Sequence, residues 1–284
     1  MHSHISSTHK SYLDILRIIA SFFVCYNHAY GYHLFLDQAA DGSLLSWMNV
    51  CLSSPVAINV PLFFMISGAL LLNKTECYPS LLRRLWRMVV LITAASVVTY
   101  ILVPVEQPSL PHFLSLFFSG TVNGSHWYLF AYVSFLLLLP FLRPAVQKMT
   151  GTDLLYLVVL RTVFRPGLAI LNFWLEHWGY AAIRLSVNLQ FPLSMLDCFF
   201  CPIAGYWLAH KLCIERISRK QLSGWVCVLL GGCLIASLMT YAEGYYDTFT
   251  QNYIGEFGYS SAMAVFVLIR YFTEKVSISP KTAA

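Results

Sequence analysis

Apolar runs long enough to cross a bilayer recur along the whole chain, and only short polar segments separate them. A helix needs about 20 predominantly apolar residues to cross the roughly 30 Å hydrocarbon core. The pattern therefore predicts eight spans, at about 12–34, 50–72, 86–104, 127–146, 153–174, 192–212, 222–241 and 254–272. The fold class that follows is all-α, a polytopic transmembrane helix bundle. The fifth span carries Arg161, Arg165, Pro166 and Gly167. It is expected either to break there or to lie within the bundle, away from lipid. Between the third and fourth spans, "LPHFLSLFFSG" is too short to cross and is expected at the membrane interface.

Composition agrees with that pattern. Of 284 residues, 58% are hydrophobic and 11% charged, against about 25% charged in an ordinary soluble domain. Little chain is left for a soluble domain. One bundle at 12–272 is expected, with a flexible cytoplasmic tail at 1–11 and a second cytoplasmic tail at 273–284. No small-residue cleavage site follows the first apolar run, so it is read as a retained span. His2, His4 and His9 in the N-terminal tail fit no metal-ligand spacing, and no metal is expected. Most of the eight cysteines fall inside apolar runs, where they act as small hydrophobes. Cys198 and Cys201 form a C-x-x-C without a second pair, which is the pattern of a core segment.

The net charge of +5 would suggest a nucleic-acid partner only if the basic residues clustered on a soluble surface. They do not. With the N-terminus inside, 15 of the 18 Lys and Arg residues fall on the cytoplasmic side, in clusters that include Arg83, Arg84 and Arg87. Arg184 is left outside, and Arg161 and Arg165 lie within the fifth span. Short cytoplasmic loops carry the Lys/Arg excess, so both termini are expected in the cytoplasm. The outer loops then hold Asp37, Asp41, Glu106, Glu176, Glu243 and Asp247.

Candidate chemistry begins in the first span, "LDILRIIASFFVCYNH". Arg17 and His28 are eleven residues apart, a rotation about 20° past three full turns, so both lie on one helix face about 16 Å apart along the axis. Asp14 lies near the same line, and Asn27 adds a polar group at the His28 level. Ionisable groups inside a span face protein or a water-filled cavity and mark function by default. The plainer alternative is that Arg17 snorkels to the headgroups and His28 bonds a neighbouring helix. Two such groups on one face favour a site turned into the bundle. Asp197 and Glu256, inside later spans, are expected to pair with Arg161, Arg165 or His28, because buried charges need partners.

Arg17-x10-His28, followed by "VPLFFMISGALLL" in the second span, resembles the acyltransferase-3 family of integral membrane acyltransferases. "LLRRLWR" supplies a match to that family's Arg-x-x-Arg element at Arg84 and Arg87. "GSHWYLFAYVSFLLLLPFLRP" resembles the start of a later span, and "AVFVLIRYF" its late helices. The likeness is greatest to the branch that O-acetylates bacterial surface polysaccharides, including the enterobacterial common antigen enzyme. Members usually have about ten spans, whereas eight are expected here, so the C-terminus is read as shortened.

The resemblance implies a membrane-bound O-acyltransferase of the bacterial inner membrane. Its donor would be cytoplasmic acyl-CoA, commonly acetyl-CoA, and its acceptor a hydroxyl of a surface glycan or lipid-linked sugar. Arg84 and Arg87, with Arg83, would pair with CoA phosphates. His28 would serve either as general base toward the hydroxyl or as a covalent acyl carrier, with Arg17 on the same face just inside the cytoplasmic mouth. His126 and Trp127 are candidates to orient the sugar, and Asn27, Arg161 and Arg165 to bind it; the plain alternative for Trp127 is an interfacial aromatic belt. Two competing classes are a transporter or flippase of a glycan precursor, and a truncated non-catalytic membrane protein.

Overall fold

The computed structural model describes residues 11–28, 43–75, 77–102, 109–119, 122, 124–180, 197–243 and 254–278. His2, His4, His9, Asp37, Asp41, Glu106, Arg184 and Asp247 lie outside them, as do the 1–10 part of the N-terminal tail and residues 279–284 of the C-terminal one. Every regular element among the described residues is helical: α1 Ser11–His28, α2 Leu44–Ser53, α3 Asn59–Leu71, α4 Tyr78–Leu102, α5 Leu110–Ser119, α6 Trp127–Lys148, α7 Gly151–Thr162, α8 Leu168–His177, α9 Asp197–His210, α10 Arg219–Ala242 and α11 Ile254–Ile278. A 3-10 turn at Ser54–Ile58 joins α2 to α3. Five stretches are long and apolar enough to cross a membrane: 44–71, 78–102, 127–148, 151–177 and 219–242. The described helices α1, α9 and α11 stand where the remaining three spans are expected.

Helix starts follow from local chemistry. Thr150 caps α7, its hydroxyl accepting from the Asp153 amide while the Asp153 carboxylate accepts from the Thr150 amide, and Ser218 with Gln221 does the same for α10. These reciprocal boxes satisfy two otherwise orphaned donors each. The third span begins earlier than its apolar run suggests. It starts at Tyr78 rather than about 86, because Pro79 suits a first turn and needs no amide partner there. Consequently Arg83, Arg84 and Arg87 stand on a helix and not in a loop.

The fifth span does not break. It runs from Gly151 to His177 through a π turn at Val163–Gly167. Pro166 has no amide hydrogen to donate, and its ring would crowd the carbonyl one turn back; a widened turn accommodates both. A Cβ on Gly167 would already stand 3.0 Å from the Thr162 oxygen, so the small residue after the proline suits the tight spot.

Residues group into two compact units, 1–70 with 149–284, and 71–148. In the first, α11 packs against α1, α9, α10 and the Ser54–Ile58 turn. Tyr259, Ala262, Ala264, Phe266 and Val267 are buried along it. Its small residues permit that crowding: a Cβ on Gly258 would stand 2.7 Å from the Ala57 oxygen. Close backbone approach through small residues is how membrane helices gain contact when lipid offers no hydrophobic drive between them. In the second unit α4 packs on α6. Tyr100, near the end of α4, receives the Ser109 amide at 3.1 Å and meets His112 Nδ1 at 3.0 Å, which ties α5 to α4. Val90, Leu91, Val98, Ile101 and Leu102 of α4 are exposed, the apolar surface a bilayer covers.

Candidate active site

On α1 the packed stripe is Tyr12, Leu13, Leu16 and Ala20. The polar line beside it does not turn inward as the spacing led us to expect. Arg17 pairs with Asp14 one turn earlier, and the two side chains are 44% and 38% exposed. Charges three residues apart can meet on the helix surface, which accounts for the difference. His28 ends α1 with its ring exposed, and beside it the buried Asn27 Oδ1 has no hydrogen-bond partner among the described residues. The C-terminal end of α1 therefore presents an exposed imidazole, with the unsatisfied Asn27 amide oxygen buried beside it. The imidazole can accept a hydrogen bond from a hydroxyl-bearing ligand.

The second unit gathers cations. Ser80, Arg83, Arg84 and Arg87 line one pocket of about 260 Å³. Their spacing places all four within about 100° of the α4 circumference, because residues three, four and seven apart share a face. Guanidinium groups in that arrangement suit phosphate oxygens, which they can meet two bonds at a time. The volume is small, a size for an anionic group and not for a whole cofactor. At the start of α6, His126 is half-buried with its buried Nδ1 lacking a hydrogen-bond partner among the described residues. Trp127 is half-exposed and meets Tyr128 edge-on.

The fifth-span arginines are engaged in the first unit's interior. Arg165 Nε lies 3.0 Å from Glu256 Oε2, one of the pairings expected from the sequence. Arg161 is 1% exposed and stacks over the Tyr259 ring at 4.9 Å. The Tyr259 hydroxyl in turn stands 2.6 Å from that of Thr162. The π turn thus sits inside a polar cluster that α11 completes. The Asp197 side chain lies outside what the structure describes.

One polar pair escaped sequence reasoning. Arg143 of α6 is buried and donates through Nε to the Leu71 carbonyl at 3.0 Å, and Gln147 Nε2 donates to the Leu72 carbonyl at 2.8 Å. Together they satisfy orphaned carbonyls at the end of α3. The only hint in the sequence is a charge followed by Pro144 inside an apolar run, which hydropathy counts as topology.

Comparison with curated proteins and with solved structures yields no match. The acyltransferase domain family does match, over residues 10–279, a range holding α1, the α4 arginines and α11. Nearly the whole chain is thus covered, and five of its helical stretches can cross a bilayer. The chain belongs to the acyltransferase-3 family and is a multi-pass membrane acyltransferase.

Proposed function

We propose that the protein moves an acetyl group from cytoplasmic acetyl-CoA to a hydroxyl of a bacterial surface glycan or lipid-linked sugar. The observation that carries the donor assignment is the clustering of Arg83, Arg84 and Arg87 with Ser80 around one pocket, because three guanidinium groups in one place call for a polyanion such as the CoA phosphates. The inner membrane, with both termini cytoplasmic, suits this reading, since the basic loops then face the donor.

His28 is the candidate base. A sugar hydroxyl is a poor nucleophile near neutral pH until a base takes its proton, and an imidazole is suited to that role. The oxygen then attacks the thioester carbonyl, the carbon–sulfur bond breaks, and the imidazolium returns its proton to the departing CoA thiolate. In the covalent variant His28 itself takes the acetyl group first and the sugar oxygen attacks second. Arg17 stands on the same α1 face about 16 Å nearer the cytoplasmic end, where its charge suits the anionic donor. Asn27, His126 and Trp127 are assigned to the acceptor: an amide oxygen and an imidazole nitrogen for its hydroxyls, an indole face for its ring. Arg161 and Arg165 are assigned to an anionic group on the acceptor, although both also bind within the bundle.

The test is transfer of radiolabel from [acetyl]-CoA into the glycan fraction of membranes containing the protein. His28→Ala and Arg17→Ala are expected to abolish labelling at unchanged membrane abundance. Full labelling with His28→Ala would sink the base assignment; label retained on wild-type protein after the acceptor is omitted would select the covalent route.

A further inference from the structure

A second cavity lies in the 71–148 unit, of about 480 Å³ and lined among others by Lys74, Tyr78, Leu81, Pro140, Arg143 and Gln147. Unlike the arginine pocket, it falls in the range of roughly 300–1,000 Å³ that holds whole small molecules. Its lining combines two cations with apolar and aromatic walls, and no acidic side chain belongs to it among the described residues. Arg143 is 8% exposed and held by its bond to the Leu71 carbonyl, so its guanidinium is fixed in place before any ligand arrives. Lys74 adds an exposed side chain that ends in an ammonium group. Leu81, Pro140 and Pro144 offer apolar lining, and Tyr78 an exposed ring on which a planar group can stack.

The ligand that fits is an anion joined to a planar apolar body. A further anion site follows on the same helix, since Tyr78 lines this cavity and Arg87 the arginine pocket, a rise of about 14 Å for nine residues. We propose that this cavity binds a phosphorylated nucleoside, the nucleotide end of the donor, with Lys74 and Arg143 on its terminal phosphate and Tyr78 on its base. The arginine pocket then takes the phosphates nearer the acyl arm. This assignment rests on the donor reading above and extends it to residues outside the Arg-x-x-Arg element.

Two measurements separate the two levels. Equilibrium binding of adenosine 3′,5′-bisphosphate to the purified full chain needs no transfer and probes the nucleotide end of the donor without its acyl arm. The wild type is expected to bind it, and Lys74→Gln and Tyr78→Ala each to weaken binding about tenfold, a loss of one good contact. In transfer assays the same variants should raise the KM for acetyl-CoA by a similar factor at constant kcat, and leave the KM for S-acetyl-phosphopantetheine unchanged. Equal effects on both donors, or unchanged bisphosphate binding in both variants, overturn the nucleotide pocket while leaving the donor reading intact. Bisphosphate binding with the expected losses but no transfer from any CoA thioester overturns the donor reading and keeps the pocket. Displacement of nothing but anionic lipid from the cavity, with no bisphosphate bound, assigns it to a headgroup and overturns the proposal.

Discussion

Replacing Gly68 by alanine puts a methyl carbon where backbone already stands. A Cβ there would lie 1.9 Å from the Pro202 oxygen, and the reciprocal Cβ on Gly205 would lie 2.0 Å from the Met65 oxygen. Contacts under 3.0 Å essentially never occur for real Cβ atoms. The α3 and α9 backbones must therefore separate by about 1 Å, and neither atom is the end of a flexible side chain that can swing aside. Overpacking of that kind costs about 1–3 kcal/mol. The same movement stretches the 2.8 Å contact between His210 Nε2 and the Ala69 carbonyl, worth about 1 kcal/mol. The combined loss is about 2–4 kcal/mol. At 2–4 °C per kcal/mol for chains of this order of size, the melting temperature should fall by roughly 5–15 °C. The assay is a tryptophan-fluorescence melt of detergent-purified protein, with Gly205→Ala expected to behave alike. Gly231→Ala on α10 is the control: a Cβ there meets nothing within 4 Å, so better helix propensity should leave stability equal or higher by about 0.5–1 kcal/mol. A Gly68→Ala melting temperature at or above wild type would refute the close crossing of α3 and α9.

Two further outcomes are expected. Arg165→Met leaves the Glu256 carboxylate without its 3.0 Å guanidinium partner. Both side chains are about a fifth to a quarter exposed, so the loss should be about 1–2 kcal/mol, below that of a fully buried pair. The exchange Arg165→Glu with Glu256→Arg should recover part of it in the same melt, and no recovery would show that the two act independently. Ser218→Ala removes the hydroxyl that accepts from the Gln221 amide at 3.2 Å. It should lower stability by about 1 kcal/mol without altering acyl transfer, and a variant with reduced turnover at full abundance contradicts a purely capping role.

Much of the architecture was legible because membrane helices announce themselves locally. Bilayer thickness sets the length of an apolar run, and backbone hydrogen bonding inside lipid forces it to be helical. Segment 127–148 was found this way nearly to its ends. Segment 78–102 was found with its start displaced, since its first turn is amphipathic and carries Arg83, Arg84 and Arg87. From sequence alone, the proline in the fifth span signals either a break or burial within the bundle. Its outcome turned on whether neighbours could support a widened turn, and α11 supplies Tyr259 against Thr162 and Glu256 against Arg165.

By itself, the sequence determined that this is an all-α membrane bundle of the acyltransferase-3 type, that Arg17 and His28 lie along one line of α1, and that four basic-face positions of α4 align. Those facts depend only on hydropathy, helical period and short motifs, all local in the chain. Tertiary structure alone decided that the Tyr12–Leu16–Ala20 stripe of α1 packs and that the Arg17 line beside it does not. It also decided that Arg143 caps a carbonyl 72 residues away, that Thr162 meets Tyr259 across 97, and that two glycines let α3 and α9 touch. The reason is physical: a buried polar group takes the nearest partner the packing offers, and nothing in its own stretch of sequence says which helix will bring it.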